Sequence, residues 1–175
     1  MNHVITVFGS GQVGPESDEY LLGYQVGHLI GQRGWTICNG GYNGTMESVA
    51  RGAKDAGGGA IGVLVRSLDH RPHNDWLDGV ERTDSLLGRL DRLVTLGEAY
   101  VVLPGGIGTL LEMALVWNMS QVRELAKPIV MVGPDWAAAL ESLGQHLLVS
   151  PVDREQLLLA SDAEAAVAIL DAHFG

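Results

Sequence analysis

The spacing of glycines with one glutamate and one arginine points first to phosphate and proton chemistry. Three glycine clusters each follow a short apolar run and open a helical pattern. They are Gly9-Ser10-Gly11-Gln12-Val13-Gly14, Asn39-Gly40-Gly41-Tyr42-Asn43-Gly44-Thr45-Met46-Glu47, and Pro104-Gly105-Gly106-Ile107-Gly108-Thr109-Leu110-Leu111-Glu112. Glycine permits positive φ and lets a ligand approach the backbone closely. The helix start behind each cluster offers unpaired N–H groups and the positive end of a dipole, which suits a phosphate. At the carboxyl ends of parallel strands, all three would edge one crevice. Glu112 either bonds back to Thr109 in a capping box or handles a substrate proton beside the cradle. Arg89 falls about 40° from Leu93 on a helical projection, at the margin of a buried stripe, and Arg92 points further out. There a guanidinium either snorkels to solvent or clamps a phosphate or carboxylate.

Alternating elements must hold these groups. Apolar, β-rich runs occur at Val4–Phe8, Trp35–Cys38, Ala60–Val65, Ala99–Leu103 and Pro128–Val132, with a weaker one at His146–Val149. Helical patterns lie between and after them, near 17–33, 44–56, 84–97, 108–121, 134–143 and 162–173. Several runs are apolar on both faces, as parallel strands covered by helices are. The pattern predicts one domain over residues 1–175, an α/β fold with a Rossmann-like, doubly wound parallel sheet flanked by helices. Helix 17–33 opens on Ser17-Asp18-Glu19, a cap with an acidic first turn. Its expected apolar stripe is Leu21, Leu22, Val26, Leu29 and Ile30, while Gly23, Gly27 and Gly31 line a flank for close helix packing. On helix 84–97 the stripe is Leu86, Leu87, Leu90, Leu93 and Val94. Helix 108–121 is apolar around most of its circumference, so it is expected to be covered on all sides, most simply by a second subunit. The stretch 66–79, with His70, Pro72, His73, Asn74 and Asp75, reads as a surface loop or lid.

Composition narrows the class. The chain has 175 residues, 11 Lys+Arg against 21 Asp+Glu, a net charge of −10 and 24 glycines. That glycine content is roughly twice the ~7% of average proteins, but without a G-X-Y period or a shortage of apolar residues. Collagen and disorder are therefore excluded. The acidic balance, with a pI of about 4.8, argues against nucleic-acid binding. No apolar run approaches the ~18 residues of a membrane span, and no secretory leader is evident, so a cytoplasmic protein is expected. Cys38, the single cysteine, ends an apolar run and is expected to be a buried small hydrophobe. No metal-ligand spacing is present, and no metal or redox cofactor is expected. The first cluster fits G-x-G-x-x-G, yet the second strand ends Cys38-Asn39-Gly40-Gly41, without the carboxylate that would hold a ribose 2′-hydroxyl. Ordinary NAD binding is not expected.

Pro104-Gly105-Gly106-Ile107-Gly108-Thr109-Leu110-Leu111-Glu112 resembles the PGGxGTxxE motif of the LONELY GUY (LOG) family, phosphoribohydrolases often misannotated as lysine decarboxylases. Gly40-Gly41-Tyr42-Asn43-Gly44-Thr45-Met46-Glu47 is similar to the family's GGGxxGLMG segment, and Gly9-Ser10 to its first loop; the likeness runs from Val4 to about Val132. The resemblance implies Arg89 and Glu112 as catalytic residues. It implies a phosphate or nucleotide site built from Gly9, Ser10, Gly40, Gly41, Gly44, Thr45, Gly105, Gly106, Ile107, Gly108 and Thr109. The implied reaction is hydrolysis of the N-glycosidic bond of a nucleoside 5′-monophosphate, giving free base and ribose 5-phosphate. A homodimer near helix 108–121, or a higher homo-oligomer, is also implied. The chain departs from the family where Leu90 follows Arg89, where Leu86-Leu87-Gly88 precedes it, and where Thr45-Met46-Glu47 replaces Leu-Met-Gly. The alternative expectation is a non-catalytic nucleotide or molybdenum-cofactor binder, since carriers of that kind resemble the same superfamily. The only lysines, Lys54 and Lys127, sit in a helix and a strand approach, so pyridoxal-dependent decarboxylation is not expected.

Overall fold

The computed structural model describes residues 2–175. Seven parallel strands form one sheet in the order β4-β3-β2-β1-β5-β6-β7. They are β1 (Val4–Phe8), β2 (Thr36–Asn39), β3 (Gly59–Val65), β4 (Gly79–Thr83), β5 (Ala99–Val102), β6 (Ile129–Val132) and β7 (Leu157–Ala160). The helices are α1 (Asp18–Gln32), α2 (Thr45–Asp55), α3 (Leu86–Leu96), α4 (Ile107–Gln121), α5 (Asp135–His146), the short α6 (Pro151–Arg154) and α7 (Ala163–Phe174). The α/β, doubly wound class expected from the sequence is the class observed.

Strand alternation sorts the core into two layers. Ile5, Val7, Ile37 and Val101 face α1, α2 and α7, through Val26, Ile30, Val49 and Leu170. Phe8, Cys38, Val63, Tyr100 and Met131 face α3, α4 and α5, through Leu93, Met113, Val116 and Leu140. Strands wrapped on both sides are buried throughout, as β2, β5 and β6 are at every position; β2 carries Thr36 and Asn39 at its two ends. Thr6 is the buried polar exception in β1, and its hydroxyl donates to the Leu93 carbonyl at 2.8 Å. Cys38 lies in this core, where burial pushes its thiol up to about 12.

The glycines of α1 pack as expected. A Cβ on Gly27 would overlap the Val49 carbonyl of α2, and one on Gly31 would overlap the Ala53 carbonyl. Other expectations are corrected. Leu21 is exposed on α1, and Leu86 and Leu87 are exposed on α3, leaving Leu90, Leu93 and Val94 as its buried stripe. Both exposed α3 leucines lie in its first turn. His146–Val149 is not a strand: it ends α5 and continues as exposed coil. The seventh strand is Leu157–Ala160 instead, whose leucines carry little β signal. The other edge strand is Gly79–Thr83, of which only Gly79 falls within the expected 66–79 loop and the rest within no expected element; it is only partly buried. Within one chain α4 is not covered on all sides. It buries Thr109, Met113 and Val116 against the sheet and leaves Ile107, Leu110 and Leu111 exposed. No helix among the described residues is long and apolar enough to cross a membrane.

Candidate active site

The order of strands reverses between β1 and β5, and open α/β sheets bind ligands outside the carboxyl ends of strands at such a point. A cavity of about 550 Å³ opens there, within the usual range for small-molecule sites. Gly9, Ser10, Gly40, Arg89, Gly106, Ile107, Gly108, Thr109 and Glu112 line it. Gly41, Gly44, Thr45 and Gly105 lie behind its wall and shape the loops instead.

The three glycine clusters are not equivalent. Helix α1 is capped by its own Ser17, whose hydroxyl accepts from Tyr20 N at 3.2 Å, so its start is closed. The start of α2 is plugged by the first loop: Thr45 N and Thr45 Oγ1 both donate to the Ser10 carbonyl, at 2.9 and 3.0 Å. Gly44 makes this approach possible at φ 72°, where a side chain would be strained and would overlap Ser10 O. Only α4 presents an N-terminus to the cavity, with Gly106 at the N-cap and no side-chain cap. The second cluster is tied to its strand by Asn39, whose Nδ2 donates to Met46 O at 2.8 Å and whose Oδ1 accepts from Gly41 N at 2.8 Å.

Arg89 and Glu112 meet across this cavity. Their nearest atoms, Arg89 Nη1 and Glu112 Oε1, are 3.6 Å apart, and the side chains are 11% and 12% exposed. Arg89 is fixed by a 2.8 Å bond from Nε to the Val63 carbonyl and by the Tyr42 ring, whose centroid lies 5.8 Å from the guanidinium carbon. Gly40 leaves room for this arrangement: a Cβ there would overlap Arg89 Nη2 and Met46 Sδ, so the two side-chain ends would have to shift. The capping box expected of Glu112 does not form: α4 begins at Ile107, so Thr109 sits inside its first turn. Burial therefore acts on Glu112 with only Arg89 to oppose it, pushing its carboxyl up to about 7. A carboxyl titrating near neutrality is suited to proton transfer. Arg92, by contrast, pairs with Glu81 through two hydrogen bonds of 2.8 and 2.9 Å, away from the cavity.

The sequence of the 175-residue chain matches the profile of the SLOG cluster4 family over residues 2–167. The chain belongs to the SLOG cluster4 family. This SLOG protein is 34% identical to the cytokinin riboside 5′-monophosphate phosphoribohydrolase of Mycobacterium tuberculosis over 154 residues, covering 83% of this chain and 82% of that one. The LOG resemblance read from the sequence is thereby borne out. Among solved structures, the molybdenum cofactor binding protein of Rippkaea orientalis superposes with a TM-score of 0.81 at 26% identity, covering 100% of this chain and 99% of the other. The molybdenum cofactor carrier protein of Chlamydomonas reinhardtii gives 0.77 at 25% identity, covering 98% of each.

The positions where this SLOG protein departs from the LOG pattern around Arg89 are not on the cavity wall. Leu90 is buried under α3, and Leu86 and Leu87 face outward. Several wall residues escaped the sequence reading: Gln12, Tyr42, Asn43, Met46, Leu68, Arg71 and Pro72. Four of these, Gln12, Tyr42, Asn43 and Met46, sit inside the glycine clusters themselves, between the glycines that shape the loops. Leu68, Arg71 and Pro72 belong to the 66–79 stretch, which folds over the site instead of away from it. Its anchor is Asn74, whose buried amide donates to Gly41 O at 3.1 Å and Tyr42 O at 2.9 Å.

Proposed function

We propose that this protein is a nucleoside 5′-monophosphate phosphoribohydrolase. The observation that carries the reading is the Arg89–Glu112 pair, 3.6 Å apart and nearly buried, beside the open start of α4. The phosphate sits on the N–H groups of Gly106, Ile107 and Gly108 with the Thr109 hydroxyl, where the helix dipole favours an anion. Glu112 lies one turn further along α4, at the height of the ribose. In its ionised form it accepts a proton from water as the water oxygen bonds to C1′. The C1′–N bond breaks with its electron pair going to the base nitrogen, which takes a proton from solvent, while Glu112 returns its own proton to solvent. Before attack the same carboxylate stabilises positive charge on the sugar. Arg89 holds Glu112 and orients the ligand. Incubation with AMP, IMP, GMP and CMP tests this, with free base and ribose 5-phosphate measured by chromatography. Base release that is lost in Glu112→Gln, with nucleotide binding retained, supports it. No base release from any of the four at high enzyme concentration overturns it.

The second reading is a non-catalytic nucleotide or molybdenum-cofactor carrier, favoured by the near-complete superposition on the Rippkaea orientalis protein. It predicts thermal stabilisation by such ligands without turnover. Under either reading we propose a cytoplasmic protein, one domain over 1–175, that acts as a homodimer or a higher homo-oligomer. A second copy laid on α4 would cover Ile107, Leu110 and Leu111, apolar side chains that otherwise face water.

A further inference from the structure

We infer that Asn74 is a positioning residue of the nucleotide site proposed above, on which this reading rests. Its carboxamide clasps the second glycine turn to the 66–79 stretch and so holds that stretch closed over the bound nucleotide. Asn74 is the one buried residue between positions 66 and 79, at 5% exposed. Leu68, Trp76 and Leu77 are half-buried, and most of the remainder faces water. A segment with so little buried apolar surface opens readily unless polar bonds hold it.

Both ends of the Asn74 carboxamide are used. Nδ2 donates to Gly41 O at 3.1 Å and to Tyr42 O at 2.9 Å, while Oδ1 accepts from Trp76 N at 3.1 Å. The Asn74 backbone N–H adds a bond to Gly41 O at 3.0 Å. From the strand side Asn39 holds the same turn, accepting from Gly41 N at 2.8 Å. Of the short side chains, only asparagine supplies two donors and an acceptor from one group. Aspartate keeps the acceptor and, when ionised, has no donor; serine has one donor.

Two parts of the cavity hang on this clasp. Tyr42, whose carbonyl Asn74 holds, keeps its ring 5.8 Å from the guanidinium carbon of Arg89. Leu68, Arg71 and Pro72 line the cavity from the clasped stretch. After Asn74 the chain is pinned again, because Asp78 accepts from Ala60 N at 2.9 Å and pairs with Lys54. Before it, residues 69–73 are all exposed, and Asp69 reaches β4 through an ion pair with Arg82 at 3.8 Å, of a surface kind that is worth little in water. Losing the Asn74 amide therefore removes two of the bonds that hold the closed arrangement and favours the open one. A nucleotide that fills the cavity meets this wall, whereas inorganic phosphate needs only the start of α4.

The experiment compares calorimetric binding of AMP and of inorganic phosphate to the wild type, Asn74→Ala, Asn74→Ser and Asn74→Asp, with amide exchange followed by mass spectrometry. Asn74→Ala is expected to bind AMP about tenfold or more weakly, since apparent affinity falls with the fraction of molecules that are closed. Phosphate affinity holds, and exchange quickens over 66–79 but not in β5. Asn74→Asp, equal in size but without a donor, binds AMP no better than Asn74→Ala, and Asn74→Ser lies between. Unchanged AMP affinity in Asn74→Ala overturns the inference. An equal loss for AMP and phosphate also overturns it, since Asn74 would then support only the fold as a whole. So does wild-type AMP affinity in Asn74→Asp, since shape alone would then suffice. If Asn74→Ala does not fold, Asn74→Ser carries the same comparison. A wild type that binds AMP without hydrolysing it refutes the hydrolase reading alone, and one that binds no AMP refutes both.

Discussion

Replacing Glu112 with glutamine should change how stability depends on pH, and by a calculable amount. Burial holds the Glu112 carboxyl at about 7 in the folded chain, against an ordinary 4.5. The folded state therefore keeps its proton where the unfolded chain has already lost it. The stability this confers is complete below about pH 4.5 and is lost progressively as pH rises through 7. At roughly 1.4 kcal/mol per pH unit of difference, the loss across that window is about 3 kcal/mol. Little solvent screening intervenes, because the side chain is 12% exposed. Other carboxyls run the opposite way: Asp78, Glu81, Glu98 and Asp171 are held low by Lys54, Arg92, His3 and Arg33, and so favour folding as pH rises. They are common to both proteins and cancel in the difference. Urea unfolding of the wild type and Glu112→Gln at intervals from pH 4.5 to 8.5 measures that difference. The variant should gain about 3 kcal/mol relative to the wild type across the range. Parallel stability curves would refute the reasoning, since they would mean that Glu112 ionises in the fold as it does in water.

Three other outcomes are expected. Gly40→Ala should displace the Arg89 guanidinium and lower base release, though less than Arg89→Ala does, because the side-chain end can shift; the steady-state rate on nucleotide is the readout. Gly27→Ala drives a methyl into the Val49 carbonyl and should cost about 1–3 kcal/mol in urea unfolding, whereas Gly14→Ala, with open space around it, should cost far less. Leu110→Glu should shift the protein to monomer in sedimentation analysis if α4 is the subunit contact, and an unchanged mass would exclude that contact.

The sequence by itself determined the fold class, the five central strands and the three glycine clusters. Periodicity suffices where a strand is wrapped on both faces, because burial then dictates every residue in it. It failed at the edges: β4 carries Glu81 and Arg82, β7 is built of leucine, and partial solvation imposes neither pattern. The motif around Thr109 named Glu112 and the resemblance named Arg89, but neither could say that the two stand 3.6 Å apart. Local pattern even favoured a capping box, which dissolved once the helix began two residues earlier than Thr109. Only the tertiary structure decided that two of the three cradles are closed, one by Ser17 and one by the Ser10 carbonyl. Only it brought Arg71 to the cavity wall. The reason is range: helix and strand signals come from neighbours a few positions apart, while the state of a helix end or a guanidinium depends on what distant segments bring to it.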